Sequence, residues 1–398
     1  MSTGAQIIAS GVVSALGNGV AANLQALYDG RDGCREQLLP EFIPPITVPY
    51  CAVVDAPTDA RQRLAWLLDE TLQQLLAEHP LSVDERRNLP LFIGSSGYGI
   101  GIGEQIYRQQ YQQQHNQEQP QQHSLAAMPL PLDGFTQISS HLRQHHQLRG
   151  ADYAFNTACT ATGNALLAAI SALDAGECDY ALVVGLETYN ATTLGGFYGM
   201  QLLATAGMKP FDLRRNGLVL GEGCGMLLLR RSEAGESGLS LLGGASRCDT
   251  YSISASNPDG STIADVMQAA LATCGVSRSA IKAIKAHGTA TPLNDDSEAA
   301  GMRRLFGDKT MPPFFSLKAA LGHTLGSCGV IETLLTAACL QSGLLPASCG
   351  FSEADPTLAV IPMQQPLAAG AGNYLLNFFG FGGNNCSLLL RYANGTAL

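Results

Sequence analysis

A single cysteine, Cys159, stands in the run Asn156–Leu166 (NTACTATGNAL), where a short apolar strand, Asp152–Phe155, gives way to a helix. Cysteines in such runs are usually inert small core residues. This one is placed differently: Thr160, Ala161, Thr162 and Gly163 start a helix, whose free N–H groups and dipole favour a thiolate. A thiolate is a nucleophile, and the same N–H groups suit an oxyanion.

Two histidine segments add to it. KAHGTATPLND (Lys285–Asp295) places His287 at the end of a strand, before a Gly-Thr turn. SLKAALGHTLGSCGVIE (Ser316–Glu332) gathers Lys318, His323 and Glu332 around a glycine-rich turn that leads into a helix. Either histidine alone reads as a satisfied structural residue. Both at strand ends, among small residues poor in charge, fit an enclosed polar site in which neutral imidazoles donate to a carbonyl oxygen as charge develops there.

Other chemical readings are weaker. In GSSGYGIGIG (Gly94–Gly103) the dinucleotide spacing fails, because Ile102 occupies the third glycine position after Gly97 and Gly99, so close backbone packing is expected. His141, His145 and His146 lie on one candidate helix, but no third ligand is in register with them, and a solvated face is expected.

The elements that must position Cys159, His287 and His323 alternate between β and α. Strands are expected near Gln6–Ile8, Leu89–Ile93, Asp152–Phe155, Tyr180–Val184, Gly223–Leu229, Ile284–Ala286, Pro313–Ser316, Tyr374–Phe378 and Ser387–Leu390. Helices are expected over Asp59–Glu78, Ile138–His145, Gly163–Ala175, Thr262–Cys274, Asp296–Phe306 and Gly329–Ser342. Continuous apolar strands bounded by glycine predict a buried, mostly parallel sheet. The two halves echo each other: LVLGEGCGMLLLR (Leu218–Arg230) resembles FFGFGGNNCSLLLR (Phe378–Arg391), each after a helix rich in small residues. A duplicated α/β unit is expected, with halves 1–233 and 234–398. A glutamine-rich cap is expected at about 104–150.

The chain has 398 residues, 46% hydrophobic and only 14% charged, with a net charge of −10 and no basic run, which argues against nucleic-acid binding. Eleven cysteines without a CxxC pair favour reduced thiols and a cytoplasmic setting. Ala5–Leu16 is apolar but too short to span a bilayer.

Taken together, the residues resemble the β-ketoacyl-[acyl carrier protein] synthases of the decarboxylating Cys-His-His type, in the thiolase-like superfamily. The matching segments are TAC (Thr157–Cys159), LGEGCG (Leu220–Gly225), HGTATPLND, KAALGHTLGSCGVIE and NFFGFGGNN (Asn377–Asn385), in the family's order and across nearly the whole chain. The resemblance implies a five-layered αβαβα fold of two duplicated halves and an acyltransferase. It makes Cys159 the acyl-accepting nucleophile, and His287 and His323 the pair that binds the malonyl thioester carbonyl. Lys318 and Glu332 would support the site. Thr289 and Thr291 would contact the phosphopantetheine arm of an acyl carrier protein. The backbone N–H groups of Cys159 and Phe381 would form an oxyanion hole, with Phe381 gating it between Gly380 and Gly382. No metal or bound organic cofactor is implied.

A thiolase using coenzyme A esters would need a second cysteine as acid/base, and the two histidines with Lys318 are wrong for it. A non-catalytic chain-length-factor-like subunit would lack Cys159. The low charge and the resemblance imply a dimer, of two copies or with such a paralogue. Lys209, in KPFD, matches a basic docking position for the carrier protein, and Arg61, Arg63, Arg214 and Arg215 would add to it. The glutamine-rich cap and Asn384, where threonine is usual, point to an aryl-polyene-like type II polyketide pathway, with fatty-acid elongation as the alternative.

Overall fold

A computed structural model describes residues 4–40, 42–115, 134–233 and 235–393. Ten strands form one path through a sheet: β1 (Ala5–Ser14), β2 (Leu91–Gly94), β3 (Asp152–Phe155), β4 (Tyr180–Glu187), β5 (Gly223–Arg231), β6 (Gly238–Cys248), β7 (Ile281–Lys285), β8 (Phe314–Phe315), β9 (Gly372–Phe379) and β10 (Asn384–Ala393). Their order is β8-β7-β9-β10-β6-β1-β5-β4-β2-β3. Strands one to five are thus wound 3-2-4-5-1, and strands six to ten repeat that winding as 8-7-9-10-6. The duplication expected from the LLLR echo is present, and the two windings join where Ala5 pairs with Leu241 and Gln6 with Ser240.

The expectation of a mostly parallel sheet is corrected. β2 runs parallel to β3 and β4, and β7 runs parallel to β8 and β9. The five pairings that link them through the centre are antiparallel. Apolar runs signalled burial on both faces correctly, but direction is a property of the connections and not of the run.

Among the described residues, the helices that form the layers around these strands are α1 (Ala60–Glu78), α2 (Ile100–His115), α3 (Gln137–His146), α4 (Ala161–Asp174), α5 (Ser261–Thr273), α6 (Pro292–Phe306) and α7 (Cys328–Gln341). α4 and α7 lie in the middle core, against strand residues of both windings. α1, α2 and α3 enclose one outer core, and α5 and α6 the other. This is the five-layered αβαβα arrangement. α4 and α7 approach so closely that a Cβ on Gly329 would lie 2.5 Å from the Gly163 nitrogen. Only glycine permits that contact.

The expected cap begins as helix α2 and ends in α3, and its residues 116–133 lie outside the described residues. Among the described residues, no helix is long and apolar enough to cross a membrane.

Candidate active site

Cys159 lies in a 3-10 turn, Ala158–Thr160, that runs directly into α4. Ala158 takes a left-handed φ of 50°, which turns the chain sharply out of β3 and presents the thiol. His323 precedes a second 3-10 turn, Leu325–Ser327, that runs into α7, and Leu325 has the matching φ of 46°. Left-handed conformations cost free energy for residues with a Cβ and persist where the surroundings over-determine them, commonly at functional sites. His287 leaves the end of β7. The three side chains meet: Cys159, His287 and His323 offer donor atoms within 4.8 Å of one another, and all three residues are buried.

The hydrogen bonds assign the protons. His323 Nδ1 accepts the Leu325 N–H at 3.2 Å, so the neutral ring carries its proton on Nε2, which faces Cys159 Sγ at 2.9 Å. His323 is therefore a donor toward the sulfur. The backbone N–H groups of Cys159 and Phe381 also act on that sulfur. A Cβ on Gly380 would sit 3.1 Å from the Cys159 nitrogen, so glycine is what lets the Phe381 loop close over the thiol. Gly382 turns left-handed at φ 75°, and Asn384 Nδ2 donates to the Phe381 carbonyl at 3.2 Å, closing the loop. Phe381 stacks on Phe197, with ring centroids 5.7 Å apart.

Burial pushes the Cys159 thiol up to about 12, against the pull of Lys318 and of the two N–H groups. The two N–H groups favour the anion, but desolvation outweighs them and the resting group is the thiol. Both imidazoles are held well below their ordinary value by burial and then by the Lys318 charge, so both are neutral at pH 7. His287 Nδ1 is buried without a partner.

Lys318 and Glu332, expected to support the site, are fully interior and bonded to each other. The sequence reading missed the third member. Lys285, on β7, places its ammonium 2.6 Å from the other Glu332 oxygen, 2.6 Å from the Asn377 carbonyl and 3.7 Å from the centroid of the Phe378 ring. One carboxylate thus holds two buried lysines beside two neutral histidines. Asp295 and Glu298 on α6 were also missed. Glu298 accepts the N–H groups of His287 and Gly288 at 2.8 Å each, and Asp295 those of Thr289, Ala290 and Phe211. They fix the loop that carries His287. Acidic residues in the first turns of a helix were the available signal.

A cavity of about 190 Å³ is lined by Cys159, His287 and His323 together with Thr289, Thr291 and Phe381. Thr289 and Thr291 bond through their hydroxyls at 2.8 Å. Of the basic residues, Arg63 is a correction: its side chain is 13% exposed and its guanidinium is spent on Glu222 and on the Val53, Ala56 and Pro57 carbonyls. Arg215 is likewise taken by Asp296 and Asp355. Arg61 is exposed and Lys209 half-buried.

Two identical windings around a close pair of helices, with a Cys-His-His cluster where the helices begin, define a thiolase-like fold of the ketosynthase kind. The family described as beta-ketoacyl synthase, N-terminal domain, matches residues 56–234, and beta-ketoacyl synthase, C-terminal domain, matches residues 240–352. The chain belongs to the beta-ketoacyl synthase family. The chloroplastic 3-oxoacyl-[acyl-carrier-protein] synthase II of Arabidopsis thaliana is 32% identical over 60% of this chain, and the match spans 47% of that relative's length. Among solved structures, the ketosynthase ApeO in complex with its chain length factor ApeC, from Xenorhabdus doucetiae, is 29% identical over 98% of both chains, with a TM-score of 0.81. The ishigamide ketosynthase/chain length factor is 25% identical over 98% of this chain and 99% of its own, with a TM-score of 0.83.

Proposed function

We propose that this protein is a condensing ketosynthase that joins an acyl group to malonyl units on an acyl carrier protein. The observation that carries the reading is the meeting of Cys159, His287 and His323, with His323 Nε2 at 2.9 Å from Cys159 Sγ and His287 Nδ1 buried without a partner. Cys159 attacks the acyl thioester, and its proton leaves with the phosphopantetheine thiol. The oxyanion of the tetrahedral intermediate lies on the N–H groups of Cys159 and Phe381. Malonyl carrier protein then enters past Thr289 and Thr291. Its carboxylate departs as CO₂, and the electron pair moves to an enolate whose oxygen accepts from His287 and His323. Neutral imidazoles suit this step, because they need no proton transfer and leave the enolate nucleophilic. The enolate carbon attacks the acyl-cysteine carbonyl, and collapse of that intermediate releases Cys159 and a chain two carbons longer.

The chain keeps a nucleophile, so it reads as the active partner rather than a chain-length factor. The likeness to ApeO with its chain length factor and to the ishigamide pair supports a specialised type II polyketide pathway, aryl-polyene-like, and a heterodimer with a chain-length-factor-like paralogue. Similarity to a 3-oxoacyl-[acyl-carrier-protein] synthase II supports fatty-acid elongation by a homodimer as the second reading. Thiolase chemistry is disfavoured: the Cys328 thiol is spent on the Cys159 carbonyl at 3.1 Å, and Cys386 is buried outside the cavity.

Intact-protein mass spectrometry with acyl carrier protein, before and after malonyl carrier protein, tests the reading. An acyl adduct that is lost in Cys159→Ala, followed by a product two carbons longer, is expected. His287→Ala and His323→Ala should lose decarboxylation more than acylation. Equal loss of self-acylation in all three variants would refute the assigned roles.

A further inference from the structure

Away from the cavity, in the outer layer formed by α1 and α3, lies a cluster that the condensing chemistry does not use. The sequence offers three histidines on α3 and no third ligand, and so reads as a solvated face. The fold supplies the ligand. Asp69 on α1 places its Oδ1 2.7 Å from His141 Nε2 and 2.6 Å from His146 Nε2. The three donor atoms all lie within 4.8 Å of one another. The side chains of His141 and His146 are only 12% and 18% exposed, and that of Asp69 is 35% exposed. His145 is exposed and stacks on the His141 ring at 4.5 Å. His146 is the last residue of α3, before the chain turns left-handed at Gln147.

We propose that Asp69, His141 and His146 bind one divalent transition-metal ion, Zn²⁺ foremost, as a clip between α1 and α3. Two imidazole nitrogens and one carboxylate oxygen make a donor set for zinc, whereas calcium and magnesium prefer shells of oxygen. Zinc with ligands at about 2.0–2.2 Å sets tetrahedral donors roughly 3.3 Å apart. The observed 2.6 and 2.7 Å separations from Asp69 Oδ1 need to open by only about 0.6–0.7 Å, by small rotations of side chains that reach solvent. On ligation each ring carries its proton on Nδ1, and the hydrogen bonds now made to Asp69 become metal bonds. A fourth position stays open toward water. The ion would hold α3 against the α1 face that covers β1 and β5, so it acts on stability and not on the condensing step.

The test uses full-length, tag-free protein with Cys159→Ala, because Cys159, His287 and His323 form a second group able to take zinc. Chelator-stripped protein is titrated with zinc chloride by calorimetry, and its melting temperature is read with and without the metal. One zinc per chain and a higher melting temperature are expected. Adding His146→Ala or Asp69→Asn should weaken binding at least tenfold and abolish the thermal shift. In the otherwise unmodified enzyme, neither change should lower condensing activity. No saturable binding in the Cys159→Ala protein, or unchanged affinity in both added variants, would overturn the proposal. Should His146→Ala fail to fold by circular dichroism, Asp69→Asn decides, since it preserves the shape of the contact.

Discussion

Glu332→Gln is the perturbation to which this interior should be most sensitive. Glu332 is 1% exposed and is the carboxylate that both Lys285 and Lys318 touch, and neither lysine side chain is exposed at all. Glutamine keeps the shape but leaves two ammonium ions facing each other without a counter-charge. Breaking one buried pair costs about 3–5 kcal/mol, and the second cation places this variant at the upper end of that range. Lys285→Met is milder. It leaves the Glu332–Lys318 pair whole and strips one donor from the Asn377 carbonyl, at a cost of about 1–3 kcal/mol. Simple addition would give the double variant a deficit of roughly 6–8 kcal/mol. The structure requires otherwise, because removing Lys285 also removes the like-charge repulsion that Glu332→Gln creates. The double variant should be no less stable than Glu332→Gln alone. Urea unfolding of the four proteins at neutral pH measures the cycle.

The deficit of Glu332→Gln should also depend on pH. A lysine forced to share this interior has a folded-state pKa below its unfolded value of about 10.4, and Lys285 is already lowered by burial in the native protein. Below the folded pKa both states hold the proton and the full penalty is felt. Between the folded and unfolded values only the unfolded state holds it, so stability recovers as pH rises. A Glu332→Gln protein within about 1 kcal/mol of wild type, or single effects that simply add, would refute the buried-triad reasoning.

Four further perturbations have outcomes that follow from the same structure. His287 and His323 stay neutral well below their ordinary value, so the acid limb of the condensation rate should lie below pH 6.5; unfolding free energy should meanwhile fall as pH drops through 6.5, because the unfolded chain takes up those protons first. Gly329→Ala sets a Cβ 2.5 Å from the Gly163 nitrogen and 2.6 Å from Thr162 Oγ1, and should cost about 1–3 kcal/mol in urea unfolding and depress activity by prising α7 from α4. Arg63→Ala leaves the buried Glu222 without its counter-charge, with the Val53 and Tyr189 N–H groups still bonded to it, and should cost about 3 kcal/mol, while Lys209→Glu should leave stability nearly unchanged and raise the KM for carrier protein if that lysine docks it.

What was legible in the sequence, and what was not, divides along physical lines. Cys159, His287, His323, Lys318 and Glu332 were legible because each sits in a segment whose small residues and turns leave few other uses for a polar side chain. β6 was missed: GLSLLGGASRC carries two adjacent glycines, and Gly243 takes a φ of 125° at an irregularity in the β6–β10 register. α2 was missed because IGIG reads as loop, and only packing against the α1 layer makes it a helix. Lys285 reads as ordinary charge on a strand, since its partner Glu332 lies 47 residues further along the chain and only the fold joins them. Arg63 is the converse case, a surface-looking arginine at the start of a helix whose partner Glu222 is 159 residues away.

The duplication also explains why the molecule has one such site and not two. The 3-10 turns Ala158–Thr160 and Leu325–Ser327 are offset by 167 residues, as are the starts of α4 and α7, and Ala158 and Leu325 share the same left-handed backbone. By that offset the twin of Cys159 is Gly326. By the ends of β2 and β7 the twin of His287 is Ser96, and by the ends of β4 and β9 the twin of Phe379, which lines the cavity, is Glu187. Glu187 fills the second pocket. Its buried carboxylate accepts from Ser95 Oγ, Ser96 Oγ and the N–H groups of Ser96, Gly97 and Gly326. A Cβ on Gly326 would lie 2.9 Å from that carboxylate and 2.5 Å from the Ser96 nitrogen, so no nucleophile fits there. One half thus turns its helix-start donors inward to hold a carboxylate, and in doing so anchors the Leu325–Ser327 turn that presents the Leu325 N–H to His323. The closed pocket sets the proton position of the open one.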